Sequence, residues 1–303
     1  MKSVFQRPLL FLPLFFLVLQ SLTAQTAGEA SSVRSLLWEI KGKGLAEPSY
    51  LYGTIHLIGK SDFFLTDATE KAFGETQRVA FEIDLEEMGD FSTLLPLLMQ
   101  SFMKKDTTLR DLLLPEEYSA VKAHFEQLGL PMFFLDRIKP MFLTALDPQA
   151  MAQPGESEDE TVSYEMEFLR MAQEADKPID GLETAAFQMS MFDSIPYRVQ
   201  ARMLVDMVKG NQEVGGNQEF QQMVEMYKNQ DIEGMQGMLG ADKEIAAYEN
   251  LLLINRNRKW IPVMEKMMTE KPTFFAVGAG HLGGKQGVVQ LLRDSGYSIT
   301  PLN

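Results

Sequence analysis

Apolar runs of four to six residues, separated by longer stretches of helical spacing, set the rhythm of this chain. Leu36-Leu37-Trp38-Glu39-Ile40, within residues 31–41, predicts a first strand, and Gly42-Lys43-Gly44 predicts the turn after it. Residues 49–58 predict a second strand that pairs with the first as an opening hairpin. A short helix is expected over 66–74 and a strand over 79–84, where Glu82 and Asp84 share one face and Ile83 takes the other. Residues 86–153 read as helical and rather apolar. Leu114-Pro115-Glu116-Glu117 looks like a helix start, followed by Tyr118, Val121, Phe125 and Leu128 at helical spacing. An acidic, solvated loop is expected over 154–160 and an amphipathic helix over 162–175. Residues 177–184 then give a short strand ending in Glu183.

The carboxyl-terminal half continues the alternation. Residues 195–236 read as polar helix broken at Gly215-Gly216, and 245–268 as a long helix pair broken at Pro262. Phe274-Phe275-Ala276-Val277 predicts a strand running into Gly278-Ala279-Gly280-His281. A helix over 286–293 and a terminal strand over 296–299 follow. Strands interleaved with helices and opened by a hairpin predict an α/β fold. The expectation is a mixed central sheet with flanking helices, in one domain over 31–303, with residues 86–175 as a helical cap region.

One local pattern recurs. Gly53-Thr54-Ile55-His56 and Gly278-Ala279-Gly280-His281 are both Gly-x-x-His, each at the end of a predicted strand, and they hold two of the chain's three histidines. Loops diverge at the carboxyl rim of an open α/β sheet, so ligands bind there. The bland reading is that Gly-x-x-His shapes a turn and the imidazole caps a neighbouring loop. Strand-end carboxylates such as Glu82 and Glu183 are, by the same logic, often only solvated or capping. Gly53, Gly278 and Gly280 are expected to let the backbone turn tightly and approach a ligand closely. His124, between Val121 and Phe125 on a helix, reads as packing or surface.

Composition narrows the chemistry. A net charge of −14 argues against nucleic acid, whose phosphates need a basic face. The chain has no cysteine, which excludes disulfides, thiol catalysis, zinc–thiolate sites and a cysteine-linked lipid anchor. Its twenty methionines read as core filling. Residues 1–24 read as a secretory signal: Lys2 and Arg7 supply the positive start, 9–19 are apolar apart from one proline, and small residues near Ala24 and Ala27 offer cleavage sites. The alternative is an uncleaved anchor. The apolar run is short for a membrane span. The expected mature chain is therefore exported, to the periplasm or beyond the cell, without a stable span.

Imidazole and carboxylate are ligands that a borderline divalent metal accepts. Two histidines and one glutamate can hold Mn, Co, Zn or Fe with a position left open, which makes a bound water acidic enough to attack a carbonyl. A second glutamate would act as general base or orient a histidine, and an arginine would steady an oxyanion or grip a carboxylate.

These residues resemble the TraB/PrgY/GumN family, whose animal branch comprises the Tiki proteins. The resemblance runs from about residue 36 to 297. It is carried by Leu51-Tyr52-Gly53-Thr54-Ile55-His56 and Phe81-Glu82-Ile83-Asp84, then Lys177-Pro178-Ile179 with Gly181-Leu182-Glu183-Thr184 and Gln188. Arg256-Asn257 and Val277-Gly278-Ala279-Gly280-His281-Leu282 with Gly284 and Gly287 complete it. It implies a fold related to the erythromycin-esterase and ChaN group, and a divalent-metal-dependent peptidase acting on a peptide or protein substrate. Carried over, His56, His281 and Glu82 are the metal-ligand candidates, with Glu82, Glu183 and Arg256 the candidate catalytic residues. Residues 86–175 match the family loosely and would set substrate choice. Two other readings stay open: a metal-free esterase using a His–Glu pair, and a binding module that captures a peptide or haem without turnover.

Overall fold

The structure is a computed structural model and describes residues 34–87, 91–145, 161–212, 218–241 and 247–302. The expected signal, the acidic loop and the Gly215-Gly216 break lie outside those residues. Among the described residues no helix is long and apolar enough to cross a membrane.

A six-stranded mixed sheet organises the chain, with flanking helices, as the α/β reading expects. Its strands are β1 (Leu37–Lys41), β2 (Ser49–Thr54), β4 (Arg78–Ile83), β6 (Ile179–Glu183), β7 (Thr273–Gly278) and β8 (Ser298–Leu302), in the order β6-β4-β7-β2-β1-β8. β1 pairs antiparallel with β2 and β8, whereas β2, β7, β4 and β6 run parallel. The opening hairpin turns through Gly42, Lys43 and Gly44, all at positive φ (102°, 49° and 81°). Glycine takes this conformation without a Cβ penalty, which is why two of the three are Gly. The inner strand β7, Thr-Phe-Phe-Ala-Val-Gly, is buried on both faces and reads as a continuous apolar run for that reason.

Parallel register decides where the functional side chains emerge. Thr54 of β2 lies opposite Gly278 of β7, Phe81 of β4 opposite Ala276, and Ile83 opposite Glu183 of β6. Four strand ends therefore finish on one rim. β7 sits between β2 and β4, although β4 is the next strand of this sheet along the chain.

Helices cover the sheet. α1 (Asp67–Glu75) starts at Thr66, whose hydroxyl accepts the Thr69 N–H, and α7 (Tyr164–Glu174) starts at Ser163, which accepts the N–H of Met166. Tyr164, Phe168, Leu169 and Ala172 of α7 join the sheet's core. A second apolar cluster belongs to α3 (Leu109–Leu112), α4 (Pro115–Gln127), α5 (Met132–Leu135), α6 (Pro140–Ala145) and α9 (Tyr197–Gln212). Val121, Phe125, Leu143 and Leu204 are fully buried there. His124 is buried beside this cluster, edge-on to Phe125, as a packing residue. The remaining helices are α2 (Phe91–Ser101), α8 (Ala185–Met191), α10 (Gln218–Lys228), α11 (Ile232–Ala241), α12 (Asn255–Glu270) and α13 (Val288–Asp294).

Three local expectations need correction. The strand expected over 49–58 ends at Thr54; Ile58–Gly59 is a separate strand, β3, which pairs antiparallel with β5 (Thr161–Val162). Pro262 does not break a helix pair, because α12 runs through it. Trp260, Ile261 and Met264 pack into the core on either side of Pro262, and that burial outweighs the roughly 3 kcal/mol cost of an interior proline. The irregularity lies upstream, in a π-helical turn at Asn250–Ile254. Gly53 is not a turn residue, since it lies inside β2. A Cβ there would stand 3.0 Å from both the Ala279 Cβ and Leu282 Cδ2, so its glycine serves close packing against the β7 turn.

Candidate functional site

The rim where β2, β7, β4 and β6 end collects five of the predicted side chains. β4 contributes Glu82, β6 Glu183, the 3₁₀ turn Ala279–His281 after β7 contributes His281, and the connection after β2 carries His56. Arg256 enters from the start of α12, just after the π-helical turn. Such turns recur at functional sites. The Arg256 Nη1 donates to the Leu252 carbonyl of that turn at 3.1 Å.

Arg256 is the hub. Its side chain is only 7 % exposed. Nη2 donates to Glu82 Oε2 at 2.5 Å and lies 2.7 Å from Glu183 Oε1, which also accepts from Nε at 2.9 Å. Nη1 stands 3.1 Å from His281 Nε2. Burial would weaken the guanidinium's hold on its proton, but Glu82 and Glu183 outweigh it and raise the pKa. The second Glu183 oxygen accepts from Trp260 Nε1 at 3.0 Å, so both its oxygens are committed. The Trp260 ring lies against both His281 and Arg256.

Glu82 is held on three sides. Oε1 accepts the Gly278 N–H at 3.0 Å, and Oε2 accepts Gln188 Nε2 at 3.0 Å besides Arg256. A Cβ on Gly278 would come within 3.2 Å of Oε1, so glycine is what lets the β7 backbone reach this carboxylate. Gly280 lies within the 3₁₀ turn. Burial pushes the Glu82 carboxyl upward, but the nearby His281, Arg256 and His56 and the Gly278 N–H outweigh it and hold the pKa well below the usual range. Glu82 is therefore ionised at neutral pH. Asp84, its predicted partner, turns away and accepts the N–H groups of Glu86 and Glu87.

The two histidines are held differently. Asn257 Nδ2 donates to the carbonyls of His281 and Gln286 at 3.3 and 2.9 Å, which leaves its Oδ1 to accept from His281 Nδ1 at 2.6 Å. The proton of neutral His281 is thus on Nδ1, and the lone pair of Nε2 faces Arg256 and Glu82 Oε1, the latter 3.7 Å away. Burial first, then the charges of Arg256 and His56, push the His281 pKa down to about 4. His56 has 65 % of its side chain exposed, and its Nδ1 lies 2.9 Å from Glu165 Oε1. That bond is the main reason its pKa is raised to about 9. Glu82, Arg256 and His281 all sense the His56 charge, so it belongs to the same electrostatic cluster.

Glu165, Trp260 and the role of Asn257 have no announcement in the sequence. Glu165 lies in a helix that reads only as amphipathic. The small β3–β5 pair delivers it: β5 ends at Val162, immediately before the Ser163 cap and the first turn of α7.

The donor types at this rim fit a divalent cation. Each site histidine commits Nδ1 to an oxygen acceptor, so Nε2 is the atom left to a cation. Neutral His281 carries a lone pair there, whereas His56 must first give up the proton its raised pKa holds. The ionised Glu82 stands beside His281. The set is not closed around one point. Among the described residues no group of three or more His, Cys, Asp or Glu side chains is arranged as a metal cage, and Arg256 bonds to two of the three candidates.

The chain is 24 % identical to the metalloprotease TIKI1 of Danio rerio over 89 % of its length, and 22 % identical to the TIKI1 metalloproteases of Xenopus tropicalis and Homo sapiens over 96 % and 89 %. It spans 63 %, 68 % and 62 % of those relatives. No solved structure matches. The family pattern described as TraB/PrgY/gumN matches residues 36–301, nearly the whole described domain with the rim inside it, and the chain belongs to that family.

Proposed function

We propose that the chain is a metal-dependent hydrolase that cleaves peptide bonds, with His56, His281 and Glu82 as the ligands of a divalent ion such as Mn, Co or Zn. The observation that carries this reading is the shared construction of the two Gly-x-x-His ends, both with Nδ1 bonded to an oxygen so that Nε2 is the atom left to a cation. His281 offers it as a neutral ring and His56 on losing its proton, with an ionised glutamate beside His281. The distant TIKI relatives, named metalloproteases, support the same class. The apolar amino-terminal stretch supports action on exported peptides or proteins.

A divalent ion supplies carbonyl polarisation and a more acidic water at such a site. The chain's own residues do the rest. Burial keeps His281 neutral, so its Nε2 stays a lone-pair donor. Glu82 stays charged, as a ligand must; the contacts that hold its pKa down also make it a weak base, so its task is to hold the ion. Glu183 has both oxygens engaged and positions Arg256. The guanidinium is a positive charge fixed at the rim by two glutamates, and through that charge it would steady a developing oxyanion.

A second reading, a metal-free esterase built on the His–Glu pair, is favoured by one observation. Arg256 bonds to both Glu82 and Glu183 and approaches His281 Nε2, so the groups a cation would use are already engaged with one another. Metal analysis of the purified full chain, joined to a peptide-library digest with and without chelator, separates the two. The first predicts stoichiometric metal and cleavage that chelator abolishes and added Mn, Co or Zn restores. Ester cleavage that ignores chelator would sink it. On the first reading, His281→Ala should lower kcat/KM by at least about a hundredfold.

A further inference from the structure

Glu165 is the best-anchored carboxylate at the rim that the catalytic reading leaves without a task. Its side chain is 17 % exposed. Oε1 accepts from Thr54 Oγ1 at 2.7 Å and lies 2.9 Å from His56 Nδ1. Oε2 accepts from Ser163 Oγ at 3.1 Å, and the same hydroxyl caps α7. Two hydroxyls from separate elements thus fix the carboxylate before it meets the imidazole. Thr54 is buried at the last position of β2, two residues before His56.

The backbone is built to the same end. β3 pairs with β5 through Ile58–Val162 and Gly59–Thr161, which ties the stretch just after His56 to the stretch just before Glu165. A two-residue ladder adds little stability of its own. Its consequence is registration, since it sets the first turn of α7 against the β2 end. The His281 side of the rim has the counterpart arrangement, with Asn257 holding Nδ1 and itself held by two backbone carbonyls.

We propose that Glu165 is the positioning residue of His56: its carboxylate fixes the ring with the proton on Nδ1, so that Nε2 is the atom this strand end offers to a divalent cation. The cation part rests on the metal-dependent reading above; the tautomer part stands without it. The competing explanation is that Glu165 is merely an acid in the first turn of a helix, where negative charge is favoured.

Two conservative variants of the full chain separate these ideas. Glu165→Gln keeps the side chain's reach and an oxygen acceptor but removes the charge. Glu165→Asp keeps the charge at the helix start but withdraws it by one methylene. Positioning predicts that Gln outperforms Asp; a helix-charge role predicts the reverse. The first readout is the ring-nitrogen NMR shifts of the neutral His56 in chelator-treated protein. The chain has three histidines, and His56→Ala assigns the signal. Wild type and Glu165→Gln should show the Nδ1–H tautomer, and Glu165→Asp should move toward Nε2–H. The second readout is cobalt(II) titration followed by visible absorption. Glu165→Asp should weaken the affinity by about 10- to 100-fold, the usual range for loss of such an outer partner, and Glu165→Gln by less.

Wild-type His56 in the Nε2–H form would overturn the proposal, as would a Glu165→Asp chain that keeps both the wild-type tautomer and the wild-type cobalt affinity. Should wild type bind no cobalt while its His56 holds Nδ1–H and loses it in Glu165→Asp, the metal reading falls and Glu165 keeps its role.

Discussion

The two Gly-x-x-His ends are near-copies in sequence and opposites in chemistry. His281 is buried under Trp260, its Nδ1 held by a neutral amide and its pKa pushed down to about 4. His56 is exposed, held by a carboxylate and raised to about 9. Strand and turn place both rings on one rim, but tertiary surroundings decide the charge of each: burial for His281, and the Glu165 carboxylate from a distant helix for His56. A repeated motif therefore marks a place and leaves the protonation state open.

The harshest way to break the comparison is to remove the hub that both ends sense. Arg256→Met would strand Glu82 and Glu183 as buried carboxylates without their counter-charge. Loss of one partner from a buried ion network costs about 3–5 kcal/mol, so urea unfolding should show a loss of that order. A loss under about 1 kcal/mol would show that solvent already screens the cluster.

A subtler change makes the two ends alike. Asn257→Asp gives His281 the kind of partner His56 has. Its pKa, followed by NMR in chelator, should rise from about 4 toward the ordinary imidazole value. An unmoved titration would mean that burial alone sets it.

Stability of the metal-free chain should carry opposite signatures from the two rings. His281 has a folded pKa below the unfolded value of 6.5, so the unfolded chain binds the extra proton between about 4 and 6.5, and stability falls as pH drops through that window. For His56 the folded form holds the proton between 6.5 and about 9. Its contribution is complete below 6.5 and is lost as pH rises through 9. Thermal melts of wild type against His281→Asn and His56→Asn, across pH 4 to 9, should show these differences with opposite slopes. Equal slopes would remove the distinction.

The smallest effect belongs to the third histidine. His124→Ala should loosen packing around α4 and leave the titrations of His56 and His281 where they are. A shift in either would tie the second cluster to the rim.

Much of the site was legible before the fold. The runs 79–84 and 274–277 become inner strands of the central sheet and read as apolar because they are buried, whereas 177–184 becomes the half-buried edge strand β6, legible through Ile179 and Leu182 alone. Glu82, Glu183 and His281 were visible as strand-end groups, and Arg256 through its Arg-Asn pair. The misread positions share a cause. Local rules alone make Pro262 a helix breaker and Gly53 a turn residue, yet packing governs both. Glu165 stayed hidden because nothing near it in the sequence refers to Thr54 or His56, more than a hundred positions away.

Apart from the short β3–β5 pair and the end of β2, which escaped it, the chain's order of residues by itself determined which segments form the strands of the central sheet and which polar groups stand near their ends. These follow from local backbone preference and from burial, which are written over a few neighbouring positions. The tertiary structure alone decided that Arg256 bridges two glutamates, that one imidazole is buried against an amide while the other meets a carboxylate, and hence which ring is charged. Hydrogen bonds and ion pairs act over a few ångströms in space, and only the packing of the sheet and its helices brings residues so far apart along the chain within that range.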